Sequence, residues 1–102
     1  MKYRNIRTKG YDSKKEYSRS VVLKSLEKSW HITDLREQVS FILQEGYMKG
    51  KHKVRPIAYV ADFVYLRNGE TIVEDVKWVK TEVYKIKKKL FEFKYPYSIT
   101  ET

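Results

Sequence analysis

The chain has 102 residues and a mass of 12.3 kDa, with 22 Lys and Arg against 13 Asp and Glu, a formal charge of +9 and a pI near 9.7. One compact domain fits that length; 41% hydrophobic and 15% aromatic residues exclude a disordered polybasic tail, and the absence of cysteine excludes a disulfide framework, a cysteine zinc site, an iron–sulfur cluster and a thiol nucleophile. No apolar run approaches the roughly 18 to 20 residues of a membrane span and Met1 to Arg7 has no signal-peptide stretch, so the expectation is a soluble, cytoplasmic protein whose excess charge seeks a polyanion, nucleic acid before an anionic membrane surface or an acidic protein.

Residues 1–11 carry Lys2, Arg4, Arg7 and Lys9 around Tyr3 and Tyr11 and read as a basic N-terminal arm, followed by a single domain over 12–102. From Asp12 the pattern turns helical. Ser13 is a candidate N-cap with Glu16 three residues on, as in a capping box, and Val22, Leu23, Leu26 and Trp30 form one apolar face of a helix ending near Ser29. A strand is expected over 38–43, where Val39, Phe41 and Leu43 alternate with polar residues, and Gly46 and Gly50 bracket a turn. The largely apolar run 55–67 is the central strand, with Pro56 at its entry. Asn68-Gly69 signals a type I′ hairpin, because both residues accept positive φ, and 72–78 is the returning strand. Thr81 opens a second helix with Val83, Ile86, Leu90 and Phe93 as its apolar face and Lys85, Lys88 and Lys89 on its other side. Pro96 ends that helix, and 97–100 forms a short edge strand. The fold class is α+β in the order αβββαβ, a mixed sheet with a central hairpin flanked by helices.

The hairpin register has a chemical consequence. With Asn68 and Gly69 as the two turn residues, Arg67 faces Glu70 and Asp62 faces Asp75. Directly opposed carboxylates repel across about 4.5 to 5.5 Å, a conflict that a hard divalent cation resolves by taking their oxygens. Lys77 emerges on the same face, whereas Glu74 points to the other. The competing structural reading makes Asp62 and Asp75 solvated edge residues paired with lysines. Glu16 likewise has two competing roles, as helix cap and as ligand. His31 and His52 have no partner at metal spacing, and no phosphate loop or nucleophile–base pair is visible.

Asp62 followed after twelve residues by Asp75-Val76-Lys77 resembles the PD-(D/E)xK nuclease signature, and Glu16 on the preceding helix resembles the extra carboxylate of many members. The stretches Tyr11-Asp12-Ser13-Lys14-Lys15-Glu16, Arg55-Pro56-Ile57-Ala58-Tyr59-Val60-Ala61-Asp62-Phe63 and Glu74-Asp75-Val76-Lys77 are similar to small phage-encoded nucleases related to Holliday junction resolvases. Two positions depart from the pattern: Ala61 stands where the superfamily has proline, and Trp78 follows Lys77 where a small residue is expected. The resemblance implies a restriction-endonuclease-like core. It also implies Mg²⁺ or Mn²⁺ held by Asp62, Asp75, the Val76 carbonyl and Glu16, with Lys77 orienting the attacking water and Gln38 lining the site. The implied activity is metal-dependent hydrolysis of phosphodiester bonds in branched DNA by a homodimer in a bacterial host cell. Lys51, Lys53 and Arg55, with Lys85, Lys88 and Lys89, are candidate DNA-phosphate contacts, and Tyr3, Tyr11 and Tyr47 candidate stacking groups. The alternative function is a non-catalytic basic nucleic-acid-binding protein; a third is a module that docks on an acidic partner protein.

Overall fold

The computed structural model describes residues 13–77 and 79–102. The basic arm, Tyr3, Tyr11 and Trp78 therefore lie outside the described residues. The elements are α1 (Lys14–Lys28), β1 (Thr33–Gln44), β2 (Tyr47–Lys49), β3 (His52–Val54), β4 (Ile57–Arg67), β5 (Glu70–Asp75), α2 (Glu82–Lys94) and β6 (Ile99–Glu101). The fold is α+β. β1, β4, β5 and β6 form a mixed sheet in that spatial order, antiparallel except for the parallel β5–β6 pair, and β2–β3 is a separate small hairpin.

Ser13 accepts the Glu16 amide at 3.1 Å and starts α1 as expected. Its end explains a correction. The Trp30 amide reaches the Glu27 carbonyl and the His31 amide the Leu26 carbonyl, the two bonds of a Schellman motif, which puts Trp30 at the left-handed position with φ 64°. A side chain there leaves the helix stripe, so Trp30 is 83% exposed rather than part of an apolar face, and Val22 is also exposed. The stripe that α1 buries is Glu16, Ser20 and Leu23.

β1 starts five residues earlier than the expected strand and carries positive φ at Asp34 and Gln38. The expectation failed there because Thr33 to Glu37 lacks apolar alternation. Asn68 and Gly69 both have positive φ and set Arg67 against Glu70, as the turn chemistry requires. β5 ends at Asp75, three residues short of the expected strand.

Two apolar clusters flank the sheet. Leu23, Ile32, Phe63 and Tyr65 pack with Leu26 on the α1 side. Tyr59, Ala61, Val64, Val73, Tyr84, Phe91 and Ile99 form the α2 side with Val39, Phe41 and Leu43. The expected apolar face of α2 is a further correction: the helix buries Tyr84 and Phe91 and leaves Val83, Ile86, Leu90 and Phe93 in water. Aromatic packing decides this. Phe91 sits 5.0 Å from Phe41 and 5.2 Å from both Tyr59 and Tyr95, ring contacts that outweigh an aliphatic stripe. Among the described residues no helix is long and apolar enough to cross a membrane.

Candidate active site

The face of β4 changes at Asp62. Tyr59 and Ala61, odd-numbered and before it, belong to the α2-side cluster, whereas odd-numbered Phe63 and Tyr65 belong to the α1-side cluster. Opposite, Glu37 faces Phe63 and Val39 faces Ala61, which sets Gln38, with φ 54°, against Asp62. Asp62 thus leaves the strand where neither cluster claims it.

On its other side the hairpin register runs in step to Phe63 against Glu74, so Asp62 and Asp75 follow as neighbours. The Val76 amide donates to Asp62 Oδ2 at 2.9 Å and Gln38 Nε2 to Asp62 Oδ1 at 3.3 Å. Gln38 Nε2 also donates to Glu16 Oε2 at 2.9 Å, tying the carboxylate of α1 to the sheet. Glu16 therefore gives its backbone amide to the Ser13 cap and turns its carboxylate toward Gln38.

Burial, chiefly, and then a hydrogen bond to Asp75 push the Asp62 carboxyl up to about 7, against the opposing pull of the Val76 amide; the nearby Asp75 charge adds to the rise. Two carboxylates at this spot thus favour sharing a proton. Asp75 is 3% exposed and its Oδ2 receives two donors, Tyr59 Oη at 2.9 Å and Lys77 Nζ at 3.1 Å. The Lys77 ammonium also lies 4.0 Å from the centre of the Tyr84 ring. Burial and the Asp75 carboxylate push the Tyr59 phenol upward, so it stays a donor at neutral pH.

The backbone around Lys77 is held from three directions. Lys15 Nζ donates to the Lys77 carbonyl at 2.9 Å, the Lys77 amide donates to the Thr102 carbonyl at 3.0 Å, and the Thr102 amide donates to the Asp75 carbonyl at 3.0 Å. Behind the site, Glu74 is fully buried on the opposite face, as its strand parity requires. Arg19 forks onto it, with Nε on Oε2 and Nη2 on Oε1, and Tyr65 Oη and Thr102 Oγ1 donate to it at 2.7 and 3.2 Å. Glu74 is spent on structure.

Sequence reasoning missed Tyr59, Lys15, Arg19 and Thr102. Arg19 had a visible signal: it lies three residues after Glu16, one turn along the same face, opposite a hairpin acid that lacked a cation. Tyr59 had none, because its link to Asp75 crosses the change of face at Asp62.

Glu16, Gln38, Asp62, Asp75 and Lys77 are thus brought together, and the Val76 amide reaches the same spot. Among the described residues no group of three or more His, Asp or Glu side chains is arranged to hold a metal ion. The donor chemistry at Asp62 and Asp75 nonetheless fits a hard cation, since two adjacent carboxylates, one driven toward its neutral form, exchange a shared proton for a metal readily.

The foreseen basic groups divide. Lys51, Lys53 and Arg55 are exposed on and beside the β2–β3 hairpin, and half-exposed Tyr47 lies in the same groove as Lys53 and Arg55. Lys85 and Lys89 are exposed on α2. Lys88, its side chain 32% exposed, shares a groove with them and pairs with Glu101 at 3.4 Å beside Lys80 at 2.9 Å. The Tyr84 hydroxyl and these lysines pull the Glu101 carboxyl down to about 2.

No curated protein and no solved structure matches the chain. The family described as "Protein of unknown function (DUF1064)" matches residues 1–100, nearly the whole length, and the chain belongs to that family.

Proposed function

We propose that the protein is a metal-dependent DNA endonuclease of the PD-(D/E)xK kind that hydrolyses phosphodiester bonds in branched DNA, in the bacterial cytoplasm that the phage resemblance implies. The observation that carries this is Asp62 beside Asp75 at the end of one hairpin, with Lys77 on Asp75 and Glu16 joined through Gln38, inside a chain of charge +9. Asp62 and Asp75 would hold Mg²⁺ or Mn²⁺, with the Val76 carbonyl and Glu16 as the further donors. When bound, the cation supplies a more acidic water and neutralises charge on the phosphate. Lys77 moves from Asp75 to the scissile phosphate, where its ammonium orients the attacking water and offsets developing negative charge. Gln38 keeps Glu16 and Asp62 in register. Lys51, Lys53 and Arg55 on one side and Lys85 and Lys89 on the other contact flanking phosphates.

A labelled four-way junction and its linear duplex, incubated at low salt with Mg²⁺ or Mn²⁺ and an EDTA control, test the reading. Metal-dependent cuts near the branch point are expected, abolished by Asp75→Asn with DNA binding kept or strengthened. Tight binding without cleavage under either metal would overturn it in favour of the non-catalytic DNA-binding protein, for which the aspartates are incidental.

A further inference from the structure

α2 is apolar on two sides. Tyr84 and Phe91 face the sheet, and Val83, Ile86, Leu90 and Phe93 stand 63, 58, 43 and 93% exposed. Spacings of three, four and three residues line these four along one stripe, the a and d positions of a heptad seam. Pro56, Ile57 and Ala58, at the entry of β4, border the stripe and form a shallow groove with Val83, Ile86 and Leu90. An isolated exposed leucine needs no explanation, but a contiguous apolar strip one helix long does.

We infer that this strip is a homodimer interface in which two copies of α2 pack antiparallel across a two-fold axis. The seam is self-complementary in that direction. Val83 meets the partner's Phe93, small against large, and Ile86 meets the partner's Leu90, while Glu82 lies near the partner's Lys89 on each side. A parallel pair would instead stack Phe93 on its own copy and set Lys89 beside the partner's Lys94. At these exposures each apolar side chain leaves on the order of 100 Å² in water, so with Pro56 and Ile57 the strip supplies most of the ~800 Å² that each partner of a stable interface buries. Residues 1–12 offer only Met1, Tyr3, Ile6 and Tyr11 among four cations, a poor cover for an aliphatic stripe flanked by Lys87, Lys89 and Lys94. Dimerisation places two Asp62–Asp75 pairs in one particle, the number needed to cut both strands of a branch; that consequence rests on the proposed function, whereas the interface does not.

Sedimentation equilibrium of the full DNA-free chain at micromolar concentration tests it. A monomer–dimer equilibrium is expected that tightens as salt screens +9 against +9. Leu90→Glu should weaken it at least tenfold while leaving the circular dichroism of the folded chain unchanged. The chain has no native thiol. Cysteines placed by Glu82→Cys and Lys89→Cys lie about 10 Å apart along one helix, too far for an internal disulfide, so oxidation should yield a covalent dimer. Monomer at every salt concentration, association that salt weakens, or a dimer indifferent to Leu90→Glu overturns the interface. A dimer that fails to cross-link overturns its antiparallel arrangement. Cleavage by a strict monomer would sink this inference alone, and a dimer that cuts no DNA would sink the nuclease alone.

Discussion

Arg19→Met strands the Glu74 carboxylate in the core. Glu74 has no exposed surface and receives the Arg19 fork, the Tyr65 hydroxyl and the Thr102 hydroxyl, so the substitution removes the guanidinium and two of these four hydrogen bonds among the described residues. Breaking a buried pair from one side costs about 3 to 5 kcal/mol, because the remaining charge has lost the partner that offset its desolvation. Arg19 is partly exposed, its side chain at 31%, which points to the lower end, about 3 kcal/mol. Urea unfolding followed by circular dichroism measures it. In a Glu74→Gln background the same Arg19→Met change should cost about 1 kcal/mol, since no charge is left unpaired, giving a coupling near 2 kcal/mol in the double-mutant cycle. Equal costs of Arg19→Met in both backgrounds would refute the reasoning.

Asp62→Asn supplies as an amide the donor that the neutral acid offers to Asp75. The native pKa of about 7 lies above the ordinary 3.8, so Asp62 adds stability to the metal-free fold that is full below about pH 4 and drains as pH rises to about 7. Without metal at pH 8 the variant should melt above the parent by about 5 °C, on the order of 1 kcal/mol after solvent screening, and the two should converge near pH 4; a gap independent of pH or of opposite sign would contradict this. Tyr59→Phe deletes the phenol that fixes Asp75 Oδ2. The expected result is a 10- to 100-fold weaker Mn²⁺ affinity, read from the concentration dependence of the Mn²⁺-induced thermal shift, with about 1 kcal/mol lost in urea unfolding, and an unchanged Mn²⁺ titration would show that Tyr59 does not position the ligand.

The order of elements was legible because its signals are local: Ser13 as cap, Asn68-Gly69 as turn, Pro96 as stop. The turn fixes the register, and the register brings Asp62 to Asp75 from the sequence pattern alone. What escaped depends on packing. α1 buries Glu16 and Ser20, which no hydrophobic periodicity flags. α2 chooses rings over aliphatic side chains because Phe41, Tyr59 and Tyr95, distant in sequence, build a socket for Phe91. β1 begins in the polar stretch Thr33 to Glu37 because β4 is there to pair with it.

The exchange of backbone bonds between Asp75, Lys77 and Thr102 ties the candidate lysine to the least secured strand of the sheet. β6 has only three residues and a single neighbour, β5, so it is a natural unit of local opening. When β6 lifts, the Lys77 amide loses its acceptor, the Asp75 carbonyl loses its donor and Glu74 loses Thr102 in the same event. The amide hydrogens of Lys77 and Thr102 should therefore exchange with solvent at a common rate, set by undocking of the edge strand rather than by global unfolding. The geometry around Lys77 is only as persistent as a closure across some 25 residues of chain, a contact that forms late in folding because its loop entropy must be met before its bonds are made.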